Sequence, residues 1–331
     1  MNKHLIYLTA VILALVVVSG GVIDLERRKG PHIGVLQWTE QVPPFRLARE
    51  GVQSGLASIG LKNGENLTLT IHNAEQSREM ALSAIREFKR QKVDLLITLG
   101  TAGTLLAMEE APDLPIVYTL VAAPDATGII PDTTGFGPNL TGVSMRVPAR
   151  VQLLSAQQIM PGLSRLGILY CSETLAATAT AHEAAAAAGS LGWEVVKVAI
   201  EKSDLDTLTA RAEELSGTTD AIYIPADAIL NLPSNMRRIT AVTDKDGIPL
   251  IGVGGEQVKQ GFTLMAVHCN FAETGKQVKS PVEKILAGLS AGSIHPQSPQ
   301  LHELTINLKK ARDLNIPIHR NAILMADNIY E

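Results

Sequence analysis

Only two of the 331 residues are cysteine, Cys171 and Cys269, so the chain can build neither a disulfide framework nor a four-thiolate zinc site. Aromatic residues make up 4%, which gives each one near a loop more weight than usual. There is no excess of positive charge: 29 Lys and Arg stand against 33 Asp and Glu, for a net charge of −4. A weakly acidic protein has no field to gather nucleic acid, and no DNA or RNA partner is expected. With 46% hydrophobic and 19% charged residues, the chain is neither disordered nor fibrous. Its length exceeds what one compact core usually holds, so two domains are the default.

Catalytic signatures are also missing. His182-Glu183 and His302-Glu303 begin like a zinc-protease motif, but Ala186 and Ile306 stand where the second His is needed. No Gly-x-Ser-x-Gly elbow occurs, and no phosphate loop ending in Gly-Lys-Ser/Thr. Gly252-Val253-Gly254 is a lone fragment of a dinucleotide fingerprint, with Gln257 in the third glycine's place. The expectation is a protein without catalytic residues, metal or cofactor.

What is there begins with a basic start, Met1-Asn2-Lys3-His4, and an apolar run from Leu5 to Val18 broken only by Thr9. Ser19-Gly20-Gly21 and the charged stretch Asp24 to Lys29 follow. Residues 1–30 read as an export signal without a clean Ala-x-Ala cleavage site, or as an N-terminal membrane anchor, since Leu5 to Ile23 just suffices to span a bilayer. Positive charges on both flanks leave orientation open. No cysteine follows the run, which argues against lipid-anchored maturation. The rest of the chain is expected in the periplasm or otherwise outside the cytoplasm.

From Pro31 onward, short apolar runs alternate with helical periodicity. Ile33 to Leu36, Leu67 to Ile71 and Asp94 to Leu99 read as strands. Phe45, Ala48, Val52, Leu56 and Ile59 recur at three and four, as do Ala81, Ile85 and Phe88 after the candidate N-cap Ser77. This alternation predicts a parallel sheet covered on both faces. The pattern then returns at nearly one spacing: Ile33-Gly34-Val35-Leu36 as Leu166-Gly167-Ile168-Leu169, Asp94 to Ile97 as Asp220 to Tyr223, and Pro115-Ile116-Val117 as Pro249-Leu250-Ile251. The fold class expected is α/β, with two doubly wound parallel-sheet lobes joined by hinge crossings. Lobe 1 would hold 31–145 plus about 270–290, and lobe 2 would hold 146–269 plus about 291–331. Crossings are expected near Gly142 to Ala149, Asp246 to Ala266 and Ala291 to His302.

Such lobes turn the carboxyl ends of their strands toward a shared crevice, where unpaired helix N–H groups suit a carboxylate or another anion. The loops concerned are Gln37 to Glu40, Gly100 to Thr104 and Thr119 to Ala123 in the first lobe. In the second they are Cys171 to Thr174, Pro225 to Ala228 and Gly254 to Gln257.

The landmarks Ile33-Gly34-Val35-Leu36-Gln37, Ala48 to Val52, Val93 to Ile97 and Pro115 to Thr119 occur in this order. Asn139 to Ser144, Asp220 to Asp227 and Ile306 to Ile316 complete it. In these the chain resembles the ABC-transporter substrate-binding proteins related to tryptophan/tyrosine importers, from Ile33 to the C-terminus. The resemblance implies a type I periplasmic-binding-protein fold and capture of a small solute, amino-acid-like and often aromatic, for delivery to an ABC permease. It departs from the family's pattern at Glu40-Gln41-Val42-Pro43-Pro44, at Ala122-Ala123-Pro124 and at His268-Cys269-Asn270-Phe271. Each change removes polar or acidic groups from the expected cleft.

Candidate ligand-binding residues are Gln37, Trp38, Glu40, Thr101, Ala102, Thr104, Thr119, Ser172, Glu173, Asp227, Glu256, Asn270 and Phe271. Asp227 pairs with a ligand ammonium, as the resemblance implies, or caps the helix near Ile229. Trp38 stacks on a planar ligand or packs under a lid. Thr101, Thr104 and Ser172 bind a carboxylate or act as N-caps. Glu40, Glu173 and Glu256 are ligand acceptors or solvated loop acids. Tyr118 and Phe271 have the look of core residues, although Phe271 matches an aromatic position of the family. Cys171 and Cys269 both fall on cleft-side segments, where a disulfide is conceivable in an oxidising compartment. A monomer is expected, with a membrane-tethered ligand sensor for a signalling partner, or an extracytoplasmic enzyme on the same fold, as the alternative roles.

Overall fold

The computed structural model describes residues 30–130 and 139–331. The expected export signal or anchor therefore lies outside the described residues. Among those residues, no helix is long and apolar enough to cross a membrane.

The first lobe is a five-stranded parallel sheet built from β1 (His32–Gln37), β2 (Thr68–Asn73), β3 (Leu95–Leu99), β4 (Ile116–Thr119) and β5 (Leu140–Val143), in the order β2-β1-β3-β4-β5. All residues of β1, β3, β4 and β5 are buried, whereas edge strand β2 is mostly half-exposed. That is the burial profile of a sheet with helices on both faces. The covering helices are α1 (Pro43–Ser58), α2 (Arg78–Arg90) and α3 (Thr101–Glu110). Helix α1 starts on Pro43 and Pro44, whose fixed φ suits the first turn. Helix α2 is capped by Ser77, whose side chain accepts the Met80 N–H. Ala81, Ile85 and Phe88 of α2 are buried as their spacing predicts.

The chain crosses to the second lobe after β5. There follow α4 (Ala149–Ile159), β6 (Arg165–Cys171), α5 (Leu175–Ser190), β7 (Glu194–Ile200), α6 (Leu208–Ser216), β8 (Ala221–Tyr223) and α7 (Pro233–Lys245). Next come β9 (Leu250–Gly252), α8 (Gly255–Lys259) and β10 (Met265–Cys269). The chain then returns to the first lobe as α9 (Phe271–Gln277) and α10 (Lys279–Leu286). It ends in the second lobe with β11 (His302–Asn307), α11 (Leu308–Asp313), α12 (Arg320–Leu324) and β12 (Asn328–Tyr330). The second sheet runs β12-β11-β10-β9-β8-β6-β7, with β11 antiparallel to β10 and every other pairing parallel.

The middle crossing does not lie between Asp246 and Ala266. The segment from Asp246 to Ala266 carries β9, α8 and the start of β10, all within the second lobe. The chain changes lobe only at Asn270, whose side chain caps α9 by accepting the Glu273 N–H. Helix α9 then packs on α1 so closely that small residues are required. A Cβ at Gly51 would lie 2.0 Å from the Ala272 carbonyl oxygen, and one at Gly275 would lie 2.1 Å from that of Ala48. Phe271, Val278, Val282, Ile285, Ala291 and Ile294 join the same apolar core as Ile33, Val35 and Val52 of the first lobe.

Candidate functional site

Strand register decides which loops meet. Gln37 pairs with Leu99, and Leu99 with Thr119. Strands β1, β3 and β4 therefore end level, and the loops after them leave the sheet side by side. In the second sheet Ile168, Tyr223 and Ile251 lie in one row, so the loops after β6, β8 and β9 also emerge together. The two sets line one cavity between the lobes, the kind of concave place where small-molecule sites occur.

The first-lobe wall is apolar and aromatic: Trp38, Val42 and Phe45, then Gly100, Thr101 and Ala102, then Leu120 and Ala122. Phe45 reaches the cavity because Gly100 leaves room for its ring. A Cβ there would sit 2.7 Å from Phe45 Cε1, and the φ of +99° is one only glycine adopts freely. Thr101 opens α3, whose first N–H groups have no partners within the helix. Its hydroxyl is buried and unpartnered. Thr101 thus lines the cavity at the positive end of a ten-residue helix, an environment suited to a carboxylate.

The second-lobe wall holds most of the remaining polar groups: Thr174, Asp227, Asn231 and Gln257. Asp227 is 2% exposed. Its Oδ2 accepts the Cys171 N–H at 2.6 Å, and its Oδ1 accepts those of Ile229 and Leu230 at 2.8 and 3.0 Å. Burial pushes its pKa up, while these N–H groups and Lys202 pull the other way. A carboxylate has about four acceptor sites, and these bonds use three. Beside it, Gln257 donates to Asn231 Oδ1 at 2.6 Å, and Asn231 donates to the Pro225 carbonyl at 2.9 Å. Gln257 Oε1 is buried with no partner. Met145 and Phe271 complete the wall at the crossings, and the Phe271 ring stacks on His268 with centroids 5.9 Å apart.

Of the residues expected to bind ligand, Trp38, Thr101, Ala102, Asp227 and Phe271 line this cavity. The structure turns the others elsewhere. Gln37 is buried in β1 and donates to the Thr39 carbonyl at 2.8 Å. The Thr104 hydroxyl donates to the Gly100 carbonyl at 2.8 Å, and Thr119 is fully buried at the end of β4. Ser172 Oγ lies 3.5 Å from the Ile200 carbonyl. The three loop acids find cations of their own: Glu40 with Arg49, Glu173 with Lys202 at 3.9 Å and Glu256 with Lys259 at 4.0 Å. Asn270 caps α9 and donates to Glu303 at 2.9 Å. For Gln37 and Thr119 the reason is geometric: each ends a strand and belongs to the core, and the wall starts one residue later, at Trp38 and Leu120. Val42, Phe45, Met145, Asn231 and Val253 were missed as wall residues, and for Phe45 the helical periodicity pointed only to the core.

Both cysteines are free. Cys171 packs in the second lobe's core and Cys269 in the first lobe's, so the conceivable disulfide is not formed. Burial pushes the Cys269 thiol up to about 12. Among the described residues no group of three or more His, Cys, Asp or Glu could hold a metal.

The lobes touch across the cleft. Helix α3 contacts α5, Leu232 packs against the first-lobe core, and Gln76 Nε2 donates to the Ala228 carbonyl at 3.1 Å. Residues 32–329 match the family described as ABC transporter substrate binding protein. The chain belongs to that family. This substrate-binding protein is 24% identical over 304 residues to a "Tyrosine-binding protein" of Clostridioides difficile strain R20291, across 92% of this chain and 85% of that one. Among solved structures, it is similar to an ABC domain from Streptococcus pneumonia in complex with L-Trp, at a TM-score of 0.83 and 22% identity over 91% of this chain and 99% of that one. It is also similar to a ligand-free, open substrate binding protein with adhesive properties from Clostridium difficile, at a TM-score of 0.71, the same identity and the same coverage. The fold is the two-lobed α/β type I fold of periplasmic binding proteins.

Proposed function

We propose that this protein captures an amino acid with an aromatic or other large apolar side chain between its lobes, outside the cytoplasm, and delivers it unchanged to the membrane permease of an ABC importer. The observation that carries this reading is the division of the cavity wall. Trp38, Phe45 and Phe271 offer ring faces for an apolar side chain. Asp227 brings a carboxylate for an ammonium, and Thr101 with the N-terminus of α3 offers donors for a carboxylate. The names of the relatives, one tyrosine-binding and one solved with L-Trp, support the same class of ligand. A micromolar Kd corresponds to about −8 kcal/mol, within reach of one charge pair, several N–H contacts and an aromatic stack. Hinge bending would bury the solute and present a composite surface that only the closed form offers the permease.

The test is a thermal-shift and calorimetric screen of the purified protein against the standard amino acids, with native mass spectrometry for a co-purified solute. L-Trp, L-Tyr or L-Phe should raise the melting temperature and release heat. Indifference to every amino acid would overturn the reading. The apolar run from Leu5 to Ile23 without a clean cleavage site favours a second role, a tethered ligand sensor on an uncleaved helix. N-terminal sequencing of the exported protein decides, because a released binding protein begins between residues 20 and 31.

A further inference from the structure

Two consecutive non-glycine residues, Glu75 and Gln76, have φ of 49° and 62°, in the left-handed region that side chains rarely occupy. Neither contributes to the cavity wall. Strain of this kind persists only where surrounding structure fixes it, and it concentrates at functional positions. Here the turn is pinned at both ends: the Gln76 N–H donates to the Trp38 carbonyl at 2.9 Å, and the Ser77 N–H donates to that of Ala74 at 2.7 Å. The conformation aims the Gln76 side chain out of the first lobe. Its Nε2 reaches the carbonyl of Ala228, 152 positions away in the other lobe, at 3.1 Å. Ala228 follows Asp227 directly and lies in the turn whose N–H groups Asp227 holds. One side-chain bond therefore joins the backbone behind Trp38 to the backbone behind Asp227.

We propose that Gln76 is a clasp: it positions the two walls in the closed form without touching ligand, and so sets affinity for every ligand by the same factor. This rests on closure around a solute as argued above. When the lobes part, the amide and the carbonyl are free to bond water, so the contact favours the closed form alone. Apparent affinity scales with the population of the competent form. A contact made only there raises affinity uniformly and leaves the ratio between two ligands unchanged.

The experiment compares the wild type with Gln76→Glu, which keeps the side chain's size but removes the donor, and with Gln76→Ala. Spin labels at two exposed sites, one per lobe, report the interlobe distance. Calorimetry measures L-Trp and L-Tyr separately. Loss of a neutral hydrogen bond predicts a drop in affinity of about threefold to tenfold in Gln76→Ala, equal for both ligands. Gln76→Glu should lose more, since its carboxylate faces a carbonyl oxygen. The free variants should also populate longer interlobe distances. Unchanged affinities with an unchanged distance distribution would overturn the clasp, and so would a loss confined to one ligand. If neither amino acid shortens the wild-type distance, closure around these solutes fails instead, and the free-state distances still judge the clasp.

Discussion

The two walls of the cleft use polar groups in opposite ways. On the second-lobe side, Asp227, Asn231 and Gln257 are linked to each other's neighbourhoods and to backbone, and Asp227 spends three acceptor sites inside the protein. On the first-lobe side the wall is mostly rings and small apolar groups, and its one buried hydroxyl, on Thr101, has no partner. One wall is built and then offers what is left over; the other is left deliberately incomplete at a helix end. The contrast implies that substitutions on the second wall act on folding and binding together, whereas those on the first wall can separate the two.

The largest effect should come from Asp227→Ala. Three buried N–H groups lose their acceptor, and each unsatisfied donor costs about 1–3 kcal/mol, so a stability loss of roughly 3–5 kcal/mol is expected in chemical denaturation. Asp227→Asn keeps one acceptor oxygen and should lose less stability while still weakening ligand binding. The two differ in pH dependence as well. The pKa of Asp227 is raised by burial in the folded state, so between the ordinary aspartate value of about 4 and that raised value the folded form binds the extra proton. Wild-type stability therefore falls as pH rises through this window. Asp227→Asn lacks the titration, so the wild type should lose ground to it from pH 4 upward. A constant difference in melting temperature across that range would show that the carboxylate is not penalised by burial.

Gly100→Ala tests the first wall at its tightest point. The new Cβ would press on the Phe45 ring at 2.7 Å and force alanine to a φ near +99°. Together these predict a loss of roughly 2–3 kcal/mol and a displaced α3 N-terminus. The melting temperature and the ligand affinity should both fall. Retention of both would mean that the wall can yield where it looks rigid.

Much of this fold was legible because the forces that make it are local. Continuous apolar runs bounded by Gly, Pro or Asp gave the strands, and Ser77 caps the helix it was expected to cap. The repeated landmarks pointed to paired lobes. The cleft was legible only by loop, because one residue of register separates Gln37, buried in the core, from Trp38 on the wall. Asp227 takes the capping role of its two readings and also lines the cavity. Phe45 follows helical periodicity and packs in the core, yet it also lines the cavity beside Gly100, a pairing no local pattern encodes. The Gln76 contact spans 152 positions and left no trace in the sequence. No crossing lies between Asp246 and Ala266, because β10 continues the second sheet up to Cys269 and the cap at Asn270 marks the exit.

The smallest effect is the most discriminating. Thr101→Val removes the buried, unpartnered hydroxyl and replaces it with a methyl of similar shape. If the hydroxyl is held in reserve for a ligand carboxylate, the empty protein bears the burden of an unsatisfied polar group, and valine should relieve it. The free protein should therefore gain up to about 1 kcal/mol in denaturant unfolding, while affinity for an amino acid drops by a similar amount. The opposite signs matter more than the sizes. A residue that merely packs α3 against the sheet would move both quantities downward, and a residue irrelevant to ligand would leave affinity alone. An N-acylated or carboxamide form of the ligand separates the walls further: the carboxamide should narrow the gap between wild type and Thr101→Val, whereas N-acylation, which blocks the group facing Asp227, should weaken both proteins equally.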